Sequence, residues 1–171
     1  MSKYPSITAL CRVDKFVPRL REGDIAVYIT SKNRYRHVAG SPDEKHWRLV
    51  AIIKVLKRFE THEAAAAWYL EQGEKLPSNC MVEGNPPFPL EMTAPITEFK
   101  TDRDKWDDEY QARVGQCSVF LACTTQWMNL YDPPVMTERI MCDILGRIRG
   151  TQTPPEITFE ELIRLKRYYG I

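Results

Sequence analysis

Trp47-Arg-Leu-Val-Ala-Ile-Ile-Lys-Val-Leu-Lys-Arg-Phe59 is the stretch whose reading decides the fold. It is a long, β-branched apolar run and reads as a central strand buried on both faces. Immediately upstream, Arg21-Glu-Gly-Asp24 is a turn that feeds residues 25–30. There Ile25, Val27 and Ile29 alternate with Ala26, Tyr28 and Thr30, the period of a second strand. Residues 6–13 read as a first strand, closed by a turn at Val17-Pro18, and residues 31–46 as a polar loop. Downstream, Thr61 can cap a helix from residue 62 to about 72, with Glu63 in its first turn and Gly73 as the stop. The Ala64-Ala-Ala-Ala67 tract lets that helix pack closely on a sheet.

The rest of the chain is punctuated by proline. Residues 76–97 carry Pro77, Pro86, Pro87, Pro89 and Pro95, which excludes helix and central strand and predicts a long irregular loop. Asp102 or Asp104 can cap a short acidic helix running through Arg113. Residues 116–123 alternate like a strand, and residues 126–131 extend it or pair with it. After Pro133-Pro134, Thr137 can cap a helix to about residue 148. Thr158-Phe-Glu-Glu161 has capping-box spacing and opens a last amphipathic helix with Leu162, Ile163 and Leu165. The expectation is one α+β domain over residues 1–171, with the helices of about 137–171 as an appended element.

Composition narrows the class. The chain has 171 residues and 43% hydrophobic against 27% charged residues, too apolar for disorder and enough for one core. No apolar run reaches the roughly 18 residues of a membrane span, and the first residues lack a signal peptide's apolar segment. A cytoplasmic protein with no membrane partner is expected. Five cysteines form no CxxC, and His37, His46 and His62 show no metal-ligand spacing, so no metal site or other cofactor is expected.

Charge is balanced overall but not along the chain. Residues 32–58 hold eight bases against Asp43 and Glu44, a local net of +6, while residues 60–113 have a local net of −7. The basic segment is interleaved with Asn33, Tyr35 and Trp47, a pattern that suits phosphate contact combined with base stacking. The alternative is that the two segments neutralise each other. Within this pattern Arg34, Arg36, Lys54 and Arg58 are the candidate phosphate contacts. Trp47, where the basic loop meets the central strand, Trp127 and Tyr28 are the candidate stacking residues. Trp68, after four alanines, reads as core, and Trp106 as a half-buried anchor among acids. Asn79 offers a donor and an acceptor together, suited to reading a base edge, or equally to bonding its own loop.

Catalytic signatures are missing. GxxxxGK[ST], GxGxxG and GxSxG do not occur, which disfavours nucleotide hydrolysis, dinucleotide redox chemistry and α/β-hydrolase chemistry. Asp102, Asp104, Asp107, Asp108 and Glu109 read as a solvated acidic face. A Cys80 nucleophile is conceivable if His37, His46 or His62 reaches it and its pKa is lowered. Its other reading is a buried thiol in a loop packed on the core. Arg12 and Asp14 could face a pocket or form an ordinary ion pair. No catalytic residue is assigned.

The order strand, Arg21-Glu-Gly-Asp24-Ile-Ala-Val-Tyr28, polar loop, Trp47–Val55 strand and Thr61 helix resembles the PUA-like superfamily, which includes the EVE, ASCH and YTH domains. With Cys11-Arg12 and Leu76-Pro-Ser-Asn79 added, the chain looks most like the nucleotide-modification-associated domains found near DNA hypermodification genes of phages and bacteria. The resemblance covers about residues 6–130. It implies a partly closed mixed β-barrel with flanking helices, holding a modified base in an aromatic pocket beside a basic surface. A nucleic-acid-binding module that recognises a modified base is therefore the leading expectation. The rivals are an enzyme acting on a free modified nucleotide through Cys80 or Asp14, and a factor that binds a protein through the acidic helix near Trp106, Asp107 and Asp108.

Overall fold

The structure is a computed structural model that describes residues 3–8, 17–33, 42–85, 114–148 and 156–171. Its elements, in chain order, are β1 (Ser6–Thr8), β2 (Ile25–Ile29), β3 (His46–Phe59), α1 (His62–Glu71), β4 (Phe120–Met128), β5 (Val135–Thr137), α2 (Glu138–Leu145) and α3 (Phe159–Tyr169). The chain is α+β. The strands run in the order β1–β4–β3–β2, with β5 pairing off β3. Contacts gather the chain into two compact units, Met1–Asp24 with Lys54–Thr124, and Ile25–Ile53 with Thr125–Ile171. Strands β3 and β4 run through both.

In the first unit, β1 pairs antiparallel with β4, Ile7 opposite Leu121. Helix α1 forms where the local signals place it. Thr61 accepts a hydrogen bond from the Ala64 amide at 3.1 Å, and Gly73 sits at φ +69°, a conformation glycine adopts without steric cost. The alanine tract buries Ala65 and Ala66 against Phe59, Tyr69, Cys80, Phe120 and Ala122. The buried Tyr69 hydroxyl donates to the Tyr4 carbonyl at 2.8 Å, and burial raises its pKa.

In the second unit, β3 is buried almost without interruption from His46 to Ile53. It pairs antiparallel with β5, Trp47 opposite Met136. The amide of Thr30, just past β2, donates to the Arg48 carbonyl. Trp47, Leu49 and Ile52 form a core with Met136, Met141, Ile144, Leu162 and Leu165. Thr137 caps α2, which stops at Gly146 in a left-handed conformation. Thr158 and Glu161 form the reciprocal capping box of α3, which lays Leu162 and Leu165 on the core.

Strand β4 spans Phe120–Met128, so residues 126–128 extend the strand read at 116–123, which begins later than expected, at Phe120. Thr125 and Gln126 are polar and lie within it. They are exposed, and β4 passes from the first unit into the second between Thr124 and Thr125. Residues 9–13 of the first strand, residues 86–97 of the proline-rich loop and the acidic helix at 102–113, with Trp106, Asp107 and Asp108, lie outside the described residues.

Candidate functional site

The second unit holds the aromatic residues of the sequence reading. Trp47 is only 4% exposed, so its indole is a core residue with a covered face rather than an open platform. The Lys32 ammonium stands 4.6 Å from its ring centroid, a cation–π arrangement, and also pairs with Glu138 at the start of α2. The Trp47 Nε1–H is buried and has no hydrogen-bond partner among the described residues. Trp127, on β4, is half-buried against the same core, and Tyr28 on β2 is 40% exposed. Arg34 and Arg36 lie outside the described residues, as do Arg12 and Asp14.

His46, one residue before Trp47, carries a second orphan. Its Nδ1 lies 2.9 Å from the Glu44 carbonyl, which can only accept, so Nδ1 holds the ring proton. Nε2 is buried with no hydrogen-bond partner among the described residues. Consecutive strand residues point to opposite faces, so the two orphans look out from opposite sides of β3. Buried polar atoms are nearly always satisfied, and each exception in a native fold calls for a reason.

Arg48 follows, and its guanidinium is buried. Nη1 donates to the Pro133 carbonyl at 2.8 Å and to Asp132 at 3.2 Å, fixing the turn between β4 and β5. Asn129 completes that turn: Oδ1 accepts from the Tyr131 and Asp132 amides, and Nδ2 donates to the Asp132 carbonyl.

The remaining candidates belong to the first unit. Lys54 is exposed on β3. Arg58 is committed to its own neighbourhood. Nε and Nη2 form a fork on the Glu60 carboxylate at 3.0 and 3.3 Å, and Nη1 donates to the Pro18 and Leu20 carbonyls. Asn79 accepts a hydrogen bond from the Ser6 hydroxyl at 2.6 Å through Oδ1.

Cys80 is fully buried and its Sγ–H lies 3.5 Å from the His62 carbonyl. Burial, helped by the Glu63 charge, pushes its thiol up to about 11, so the nucleophilic thiolate is scarce at neutral pH. Cys123 is likewise buried and raised to about 12 by burial.

Lys32 was counted among the bases without being singled out, and once their spacing ruled out a metal His46 and His62 were weighed only as partners for a Cys80 nucleophile. The position of His46 next to Trp47, at the start of a buried strand, was the available signal. Among the described residues no group of three or more His, Cys, Asp or Glu could hold a metal ion, and no helix is long and apolar enough to cross a membrane. Comparison with protein-family models, curated proteins and solved structures finds no match to this chain.

Proposed function

We propose that this chain is a nucleic-acid-binding module that recognises a modified base or nucleotide, built on a PUA-like, partly closed barrel with flanking helices. The observation that carries the reading is the pairing of Lys32 with Trp47. A cation lies over an indole whose buried N–H is unpartnered, inside the most basic segment of the chain. An orphaned buried donor costs about 1–3 kcal/mol, and a ligand acceptor that reaches it recovers that cost. A base edge supplies such an acceptor, and the phosphates attached to it favour a neighbouring ammonium. Trp127 and Tyr28 of the same unit supply aromatic surface, and Arg34 and Arg36, close to Lys32 in sequence, supply charge for the backbone. Asn79, Lys54 and Arg58 belong to the other unit, and Arg58 already serves Glu60, Pro18 and Leu20.

The test is fluorescence anisotropy of labelled single- and double-stranded DNA and RNA, with and without modified bases. Saturable binding that favours a modified base and weakens when Lys32→Ala is introduced is the expected result. Equal binding of every oligonucleotide, with no effect of Lys32→Ala, would overturn it.

A further inference from the structure

His62, the first residue of α1, joins the helix to the segment of residues 76–85, and does so through a bond that only one protonation state allows. Its ring is fully buried and packs edge-on against Phe120 at 5.2 Å. Nδ1 accepts the Met81 amide proton at 3.0 Å, so Nδ1 is bare and the ring proton sits on Nε2. Nε2–H is buried with no partner. His62 thus holds the tautomer opposite to that of His46, and holds it without compensation at the far nitrogen. A second proton would have to enter at Nδ1, where the Met81 N–H already points. Two donors would then face each other across a hydrogen-bond distance.

We propose that His62 is an acid-operated latch: when its imidazole takes up a second proton, α1 releases residues 76–85 while the strands of the same unit stay folded. The segment is built to move as a piece. The Asn85 side-chain amide ties it together internally by donating to the Pro77 and Cys80 carbonyls. Among the described residues, both of its hydrogen bonds to α1 converge on His62, through the Met81 amide on the ring and the Cys80 thiol on the backbone carbonyl, beside the packing of Leu76, Cys80 and Val82 on the alanine face.

The surrounding groups set the direction. Burial lowers the pKa of His62 from 6.5, and Glu63 on the same helix opposes that shift. Tyr69 on α1, Cys80 in the segment and Cys123 on β4 titrate too, but all three are raised and uncharged near neutrality. Neutral His62 is therefore the folded form. The closed state is fully favoured above pH 6.5 and loses stability as pH falls below it, because only the open state binds the extra proton readily. Asn79 lies on the released segment, so the latch also governs how that side chain is presented.

Two buried cysteines give the test an internal control, Cys80 on the segment and Cys123 on β4. The intact chain is treated with 4,4′-dithiodipyridine, which reacts with thiols in mild acid. Labelling is mapped by mass spectrometry and normalised to a free thiol. From pH 7.5 to 5.5 the Cys80 rate is expected to rise about tenfold, the ratio set by an open-state histidine of ordinary pKa, while Cys123 stays protected. In His62→Asn, whose Oδ1 keeps an acceptor for Met81 but does not titrate, the Cys80 rate is expected to be flat. A flat wild-type rate, or equal rises at Cys80 and Cys123, would overturn the latch. Should His62→Asn not fold, the wild-type chain decides by NMR. The Met81 amide must titrate together with the His62 ring, with a midpoint below 6.5, and an unmoved Met81 amide refutes the proposal.

Discussion

Replacing Trp47 with Phe separates two contributions that usually change together. The indole fills a core made with Leu49, Ile52, Met136 and Met141, so trimming it to a phenyl ring loses about 1–2 kcal/mol of burial and packing. The same change deletes a buried N–H that has no partner, and removing such a donor returns about 1–3 kcal/mol. Phe keeps a ring face for the Lys32 ammonium, so that contact largely cancels. Trp47→Phe is therefore expected to fall within about 1 kcal/mol of wild type, whereas Trp47→Ala, which leaves a cavity, costs about 3–5 kcal/mol. Hydrogen exchange at the Leu49 amide, which donates to the Pro134 carbonyl at 2.9 Å, reads the stability of this unit directly. A cost of 3 kcal/mol or more for Trp47→Phe would mean that the indole N–H is satisfied in the free protein. No ligand acceptor would then be called for at that atom.

Other substitutions test the local physics. Thr158→Ala removes the acceptor for the Glu161 amide and is expected to cost about 1 kcal/mol, seen as faster exchange at the Leu162 amide, with Thr158→Ser restoring protection. Gly146→Ala meets no steric obstacle, yet φ is +67°, so urea denaturation should show a loss of about 1 kcal/mol from backbone strain alone. Tyr69→Phe leaves the Tyr4 carbonyl without its donor and is expected to cost about 1–2 kcal/mol by the same assay. At pH 7.5 iodoacetamide should modify exposed Cys142 and react at least about 100-fold more slowly with Cys80 and Cys123, since burial both shields them and holds them protonated.

Features written in a few neighbouring residues were legible in the sequence. Thr61 with Gly73, Thr137 before α2 and Thr158 with Glu161 act on backbone atoms within a turn of themselves, so their spacing is their mechanism. The strand from Trp47 to Phe59 was legible because few alternatives bury so many branched side chains in succession, but burial on both faces ends at Ile53: Lys54, Leu56 and Lys57 are exposed. What escaped depends on distant partners. The buried Arg48 guanidinium meets Asp132, 84 positions away, and Nδ1 of His62 meets Met81, 19 positions on. Neither partnership leaves a mark in spacing. Whether residues 126–131 extend the 116–123 strand or pair with it was left open, because the surroundings change along one strand, from the buried Cys123 to the exposed Thr125 and Gln126, and composition does not record that. For the candidate site, Trp47 and the basic segment were visible, but the unpartnered N–H and the cation above the ring required side-chain positions.

Competition binding decides whether Trp47 discriminates a modified base. A labelled oligonucleotide carrying a modified base is displaced by its unmodified twin, at two salt concentrations, using wild type and Trp47→Phe. The wild-type chain is expected to prefer the modified strand, with binding that weakens as salt rises, and Trp47→Phe to fold normally but lose the preference. Identical displacement by both strands, or an undiminished preference in Trp47→Phe, would contradict that expectation.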